Sequence, residues 1–239
     1  MNNVTLLNEN WILKYNGENL KATVPNDVTL DLYANGKIKN PYFGINHKDL
    51  HWIIDTDFEY VNIFDVPDNI FNEEEILLEF DGIDTFSEIT LNGTFLGKTE
   101  NMFLKYSYSV KDLLKKRGNE LVVKMLSTNK KMEEINDEGY FGVFNTKRLF
   151  IRKAQCHFGW DWAPDMPGYG ICGDVSIRGV KRCRLDNVYY RTFNDGNISL
   201  FVDLNYTIRP QMDSNGRIIK ESDEELKKDV LRYTVASEP

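Results

Sequence analysis

Short apolar–polar alternations, broken every few residues by turn formers, leave this chain little choice but an antiparallel β-sheet fold. The stretch "EILLEFDGI" sets Ile76, Leu78 and Phe80 against Leu77, Glu79 and Asp81. "SEITLNGTFLGK" reads as a hairpin, two β-prone runs joined by Asn92-Gly93, the dipeptide that best tolerates the positive φ angles of a two-residue turn. "NELVVKML" (119–126) and "GDVSIRGVKR" (173–182) have the same style. Helical periodicity is scarce: "SVKDLLKKRG" (109–118) predicts about two turns ending at Gly118. Many short strands with turns between them predict an all-β chain, a sandwich or jelly roll.

A second unit is expected from Arg184. In "NISLFVDLNYTI", Ile198, Leu200, Val202, Leu204, Tyr206 and Ile208 share one face, and the other face is polar except for Phe201. A loop with Pro210 and Asn215-Gly216, an acidic stretch and "LRYTVASEP" follow. That is room for about three strands where an immunoglobulin-like sandwich needs about seven. The expected domains are therefore residues 1–183, a jelly roll, and 184–239, the first strands of an incomplete second sandwich. Its apolar face is expected to pair with another chain, as in a homodimer, or to pack back on the jelly roll.

Formal net charge is −8 over 239 residues, with acidic clusters at Glu73-Glu74-Glu75 and Asp223-Glu224-Glu225. Such a surface repels phosphate backbones, so nucleic acid is not an expected partner. No stretch approaches the ~20 apolar residues of a membrane span. The polar N-terminus lacks a signal-peptide pattern, and three cysteines (Cys156, Cys172, Cys183) without a Cys-x-x-Cys pair read as reduced thiols in a cytoplasm.

"GYGICG" (168–173) matches Gly-x-Gly-x-x-Gly, but Pro164 and Pro167 precede it and the β-prone "DVSIRGV" follows. It reads as a glycine-rich loop entering a strand, not a dinucleotide cradle, and no cofactor is expected. Cys156-His157 and Cys172 lack metal-ligand spacing; His47 and His51 are four apart, but in a stretch that reads as loop, close to Pro41 and Gly44. No metal is expected. "HFGWDWAP" (157–164) says more: it sets Asp161 between Trp160 and Trp162. Indole faces stack on the C–H face of a sugar, and a carboxylate accepts vicinal hydroxyls. In a regular strand both indoles would share one face while Asp161 pointed away, so convergence requires a bend, which Gly159 and Pro164 permit. The alternative is that both indoles are core and Asp161 satisfies backbone amides.

"RKAQCHFGWDWAP" (152–164) strongly resembles the signature of the β-mannosidases of glycoside hydrolase family two. The likeness extends upstream through "ATVPNDVTLDL" (22–32), "NPYFGINHKDLHW" (40–52) and "EFDGIDTFSEITLNGTFLGKTENMFLKYSYSV" (79–110). The resemblance implies a jelly-roll, galactose-binding-domain-like sandwich, then an immunoglobulin-like domain, then a (β/α)₈ barrel whose two glutamates perform retaining hydrolysis of a terminal β-mannoside. It implies that Asp161 reaches hydroxyls of the non-reducing mannose, that Trp160 walls the pocket, and that Asn46 occupies the position of a sugar-contacting asparagine in the related β-galactosidases. Ala163 stands where the family usually has glycine, and Cys172-Gly173-Asp174 where it has Trp-Arg-Pro.

A barrel needs about 250 residues, and the 55 that follow Arg184 are far too few for one. The expectation is an N-terminal part with no catalytic residue of its own, whose partners are the enzyme's C-terminal domains and a β-mannoside oligosaccharide. The competing expectations are a free-standing carbohydrate-binding module, or the jelly roll of another family-two glycosidase of the β-galactosidase or β-glucuronidase type.

Overall fold

The computed structural model describes residues 3–206 except Pro167 and Arg182, and of residues 183, 184, 186 and 204–206 it describes the backbone alone. The expected strands beyond Tyr206, with Pro210 and "LRYTVASEP", lie outside the described residues.

The strands run in chain order β1 (Asn3–Leu6), β2 (Trp11–Tyr15), β3 (Glu18–Lys21), β4 (Phe58–Phe64), β5 (Glu75–Phe80), β6 (Phe86–Leu91) and β7 (Thr94–Glu100). Then come β8 (Tyr106–Ser109), β9 (Asn119–Met125), β10 (Phe158–Trp160), β11 (Ala163–Asp165), β12 (Val175–Val180), β13 (Cys183–Thr192) and β14 (Ile198–Tyr206). Among the described residues three short α-helices, α1 (Val28–Ala34), α2 (Asp68–Phe71) and α3 (Thr128–Glu133), lie between strands. The chain divides into two compact units, Met1–Val180 and Lys181–Pro239.

The first unit is a sandwich of two antiparallel sheets, ordered β1-β12-β5-β8 and β3-β2-β4-β9-β6-β7. Alternation determines which side chains face inward. Ile76, Leu78 and Phe80 of one sheet meet Leu13, Ile89 and Val123 of the other in one core, all fully buried. Each such burial stabilises by about 1.5–3 kcal/mol. Asn92 (φ 51°) and Gly93 (φ 80°) form the expected tight turn between β6 and β7. Asn92 also caps this end of the sheet, its amide donating to Leu113 O at 2.8 Å and Asn119 Oδ1 at 3.0 Å.

Two expectations are corrected. The two-turn helix over 109–118 is a single 3₁₀ turn, Lys111–Leu113. Asn119 takes the backbone groups a longer helix would use: Lys115 N donates to its Oδ1 at 2.8 Å, and its Nδ2 donates to Lys115 O at 2.7 Å. The loop expected around His47 and His51 is a 3₁₀ helix, Asn46–Ile53, whose buried Leu50 and Ile53 lie one turn apart and anchor it in the core.

In the second unit, β13 and β14 form a long antiparallel hairpin with Tyr189 opposite Phe201, their rings stacked at 4.7 Å. Ile198, Leu200 and Phe201 are exposed.

Candidate functional site

"HFGWDWAP" folds as a small hairpin. Phe158 pairs with Asp165 and Trp160 with Ala163, so Asp161 and Trp162 are the two-residue turn between β10 and β11. The backbone thus leaves strand geometry where convergence required it. Gly159 makes the approach feasible: it sits at φ +88°, and a Cβ there would come within 3.1 Å of Asp165 Cβ.

The turn keeps the two indoles together, ring centres 5.5 Å apart and tilted 47°, and carries Asp161 to the tip. Trp160 is 39% and Trp162 73% exposed, which overturns the alternative of two core indoles. Asp161 is exposed and makes no hydrogen bond or ion pair among the described residues. An unengaged carboxylate beside two open indoles can accept hydroxyl hydrogens from a polyol while a ring covers its apolar face.

Asn46 begins the 3₁₀ helix Asn46–Ile53, which packs against β11. Its side-chain amide donates to Asn40 O at 2.9 Å, and among the described residues no hydrogen bond joins it to Asp161 or Trp160. The structure therefore brings Trp160 and Asp161 together and leaves Asn46 on the neighbouring element.

The base of the hairpin contains the groups that sequence reasoning missed. Lys153 and Asp84, 2% and 5% exposed, form a buried ion pair. Lys153 Nζ also donates to Gly168 O at 2.5 Å, and His157 Nδ1 lies 3.5 Å from Asp84 Oδ2. Burial alone would raise the Asp84 pKa, but the contacts with His157, Lys153 and the Thr85 hydroxyl together outweigh it and hold the carboxyl below its ordinary range. Lys153 stands inside the quoted signature, but nothing in the pattern says that an acid 69 positions away neutralises it.

Behind β11 lies a cavity of about 500 Å³ bordered by Asp27, Asp84, His157, Ala163, Pro164 and Cys172. Burial raises the pKa of Asp27, against hydrogen bonding from Thr29 at the start of α1, and burial raises that of the Cys172 thiol. The glycines of "GYGICG" serve close packing. A Cβ on Gly170 would sit 2.5 Å from Asn26 O, and one on Gly173 2.4 Å from Gly82 N. The stretch leads into β12, as a glycine-rich loop entering a strand should.

A two-sheet antiparallel sandwich that carries an open carboxylate–indole tip is the architecture of a carbohydrate-binding domain. The chain belongs to the glycoside hydrolase family two: residues 11–173 match its domain described as "Glycosyl hydrolase 2 galactose-binding domain-like". Among similar proteins, the β-mannosidase of Mus musculus is 34% identical over 190 residues, covering 73% of this chain and 21% of the relative. β-Mannosidase B of Thermothelomyces thermophilus is 34% identical over 176 residues, 72% of this chain and 20% of the relative. In three dimensions the chain resembles the β-D-mannosidase of Dictyoglomus thermophilum with a TM-score of 0.80 at 37% identity, over 85% of this chain and 26% of that one. The chain thus spans about a fifth of the length of these curated relatives. Among the described residues no helix is long and apolar enough to cross a membrane.

Proposed function

We propose that this chain is the N-terminal, sugar-binding part of a β-mannosidase, an exo-acting enzyme that releases terminal non-reducing β-D-mannose with retention. Two proteins named β-mannosidase that are 34% identical over nearly three-quarters of it, and a β-D-mannosidase of the same fold, support this reading. Retaining hydrolysis needs two carboxyl groups about 5–5.5 Å apart across the glycosidic bond. Asp161, alone at its hairpin tip, is not such a pair, so the catalytic carboxylates belong to a further domain of the enzyme. That domain and the β-mannoside are the partners of this one.

In this reading Asp161 accepts hydroxyl hydrogens of the mannose, Trp160 walls its ring, and Asn46 stands on the adjoining rim. The second unit is the start of an immunoglobulin-like domain that leads toward the catalytic part. Two free thiols, Cys156 and Cys172, favour a reducing, cytoplasmic setting.

The observation that carries the proposal is the unengaged Asp161 carboxylate held beside an exposed indole on a family-two scaffold. In the full-length enzyme, Asp161→Ala should lower kcat/KM on p-nitrophenyl β-mannoside by roughly 10- to 100-fold, the size of one hydrogen bond to a charged group. Full activity of that variant would reject the assignment. The 239-residue chain alone should release no nitrophenol above background; turnover that follows the purified chain would reject the division of labour.

A further inference from the structure

Arg148, in the 3₁₀ helix Thr146–Phe150, is 4% exposed. Its guanidinium carbon lies 5.3 Å from the Trp160 ring centre and 5.4 Å from that of Phe144, and the two rings meet edge to face at 5.6 Å. Nη1 donates to Gln155 O at 3.2 Å, and Gln155 returns its amide to Arg148 O at 2.9 Å. The buried Nε has no acceptor, and no carboxylate pairs with this guanidinium among the described residues.

Burying a cation without an acid costs more than one ring contact returns. Phe144 adds to the cost, since φ +69° puts a bulky residue in the left-handed region. Two unfavourable choices thus converge on a single indole. A methionine at 148 and a glycine at 144 would relieve both, but would leave the Trp160 ring free to turn.

We infer that Arg148 is a positioning residue for the sugar site. Its planar guanidinium lies over one face of the Trp160 indole, with Phe144 against that ring, and fixes the plane that the sugar meets. Arg148 acts through Trp160 and does not touch the sugar. The inference rests on reading Trp160 as the sugar-facing ring.

The test is a double-mutant cycle in the full-length enzyme, with kcat and KM for p-nitrophenyl β-mannoside measured separately. Arg148→Met should raise KM and lower kcat/KM about tenfold, the order of one desolvated cation–π contact. Arg148→Lys, which keeps the charge but loses the plane, should recover part of that loss. In a Trp160→Ala background, Arg148→Met should change kcat/KM less than twofold. An equal loss in both backgrounds, or no loss with Trp160 intact, would overturn the inference. If Trp160→Ala itself leaves kcat/KM untouched, the sugar-site reading fails first and takes the inference with it.

A spectroscopic arm needs no turnover. In the 239-residue chain, Arg148→Met should move the Trp160 indole N–H resonance while those of Trp11 and Trp52 stay in place. Should all the indole signals collapse together, Arg148→Lys replaces it and the same selective movement is required; a stationary Trp160 signal in that variant refutes the clamp.

Discussion

Replacing Lys153 by methionine tests the buried anchor beneath the hairpin. Methionine fills a similar volume, but it removes the partner of Asp84 and the donor to Gly168 O. The carboxylate then has two routes. If it stays ionised, breaking a buried pair costs about 3–5 kcal/mol. If it takes a proton, the cost at pH 7 is about 1.4 kcal/mol for each pH unit above the ordinary value of 3.8, or about 4 kcal/mol. The cheaper route sets the loss, so about 3–4 kcal/mol is expected. For a unit of this size each kcal/mol shifts Tm by about 2–4 °C, which gives a fall of roughly 6–16 °C. The pH dependence identifies the cause. In the native chain the Asp84 pKa is depressed, so its contribution is present above 3.8 and is lost as pH falls through the lower folded value. In Lys153→Met the same pKa is raised, so the deficit is full near neutrality and shrinks as pH falls. The two melting curves should therefore converge toward acid. Asp84→Asn combined with Lys153→Met leaves no unpaired charge and should recover most of the Tm. Calorimetric melts from pH 4 to 8 decide it: a Tm for Lys153→Met within 2 °C of the native value at pH 7, or a gap that ignores pH, would refute the argument.

Two further outcomes follow from the same packing. Gly170→Ala places a Cβ 2.5 Å from Asn26 O and 3.1 Å from Asp27 Cα, both backbone atoms that cannot step aside. It should cost about 2–3 kcal/mol in urea unfolding, against about 1 kcal/mol for Gly17→Ala, where φ is +80° but the space is open. Asp27 and Asp31, raised by burial against the hydrogen bonds they accept, destabilise the fold while ionised. Their folded pKa values lie above 3.8, so stability should rise as pH falls from 7 toward that value; Asp31→Asn should flatten the rise, and an unchanged slope in fluorimetric melts would count against it.

Strand positions were legible wherever local chemistry decided them. The Asn92-Gly93 turn needs positive φ at both residues, and the alternation of Ile76, Leu78 and Phe80 needs one buried face; both hold. Legibility failed where a distant group decided. The 109–118 run has helical spacing, yet Val110 N–H donates to Ile76 O and the Asn119 side chain claims both backbone groups of Lys115. The 46–53 run has a helix breaker nearby, yet burial of Leu50 and Ile53 rewards one tight turn. At the site, the eight letters of "HFGWDWAP" carry the tip, whereas the anchor joins residues 69 positions apart and no spacing rule reaches that far.

The hairpin accordingly separates two requirements that compete within a single residue. In the proposed reading Asp161 is the sugar-contacting carboxylate and stays solvated and unpartnered until ligand arrives, so it contributes nothing to its own placement. Placement comes from charges that are dry and paired: Lys153 with Asp84 at the base, and Gly168 O drawn onto the same ammonium. A site held by groups that do not touch ligand can be within reach of its geometry before binding and loses less freedom when ligand arrives. This division has a consequence for substitutions at Asp161 on the tip and at Lys153 in the base. Changes at the exposed tip should alter kcat/KM and leave Tm in place, whereas changes at the buried base should lower Tm first and activity through it. A tip variant that unfolds the domain would contradict the separation, because among the described residues Asp161 makes no hydrogen bond or ion pair for it to break.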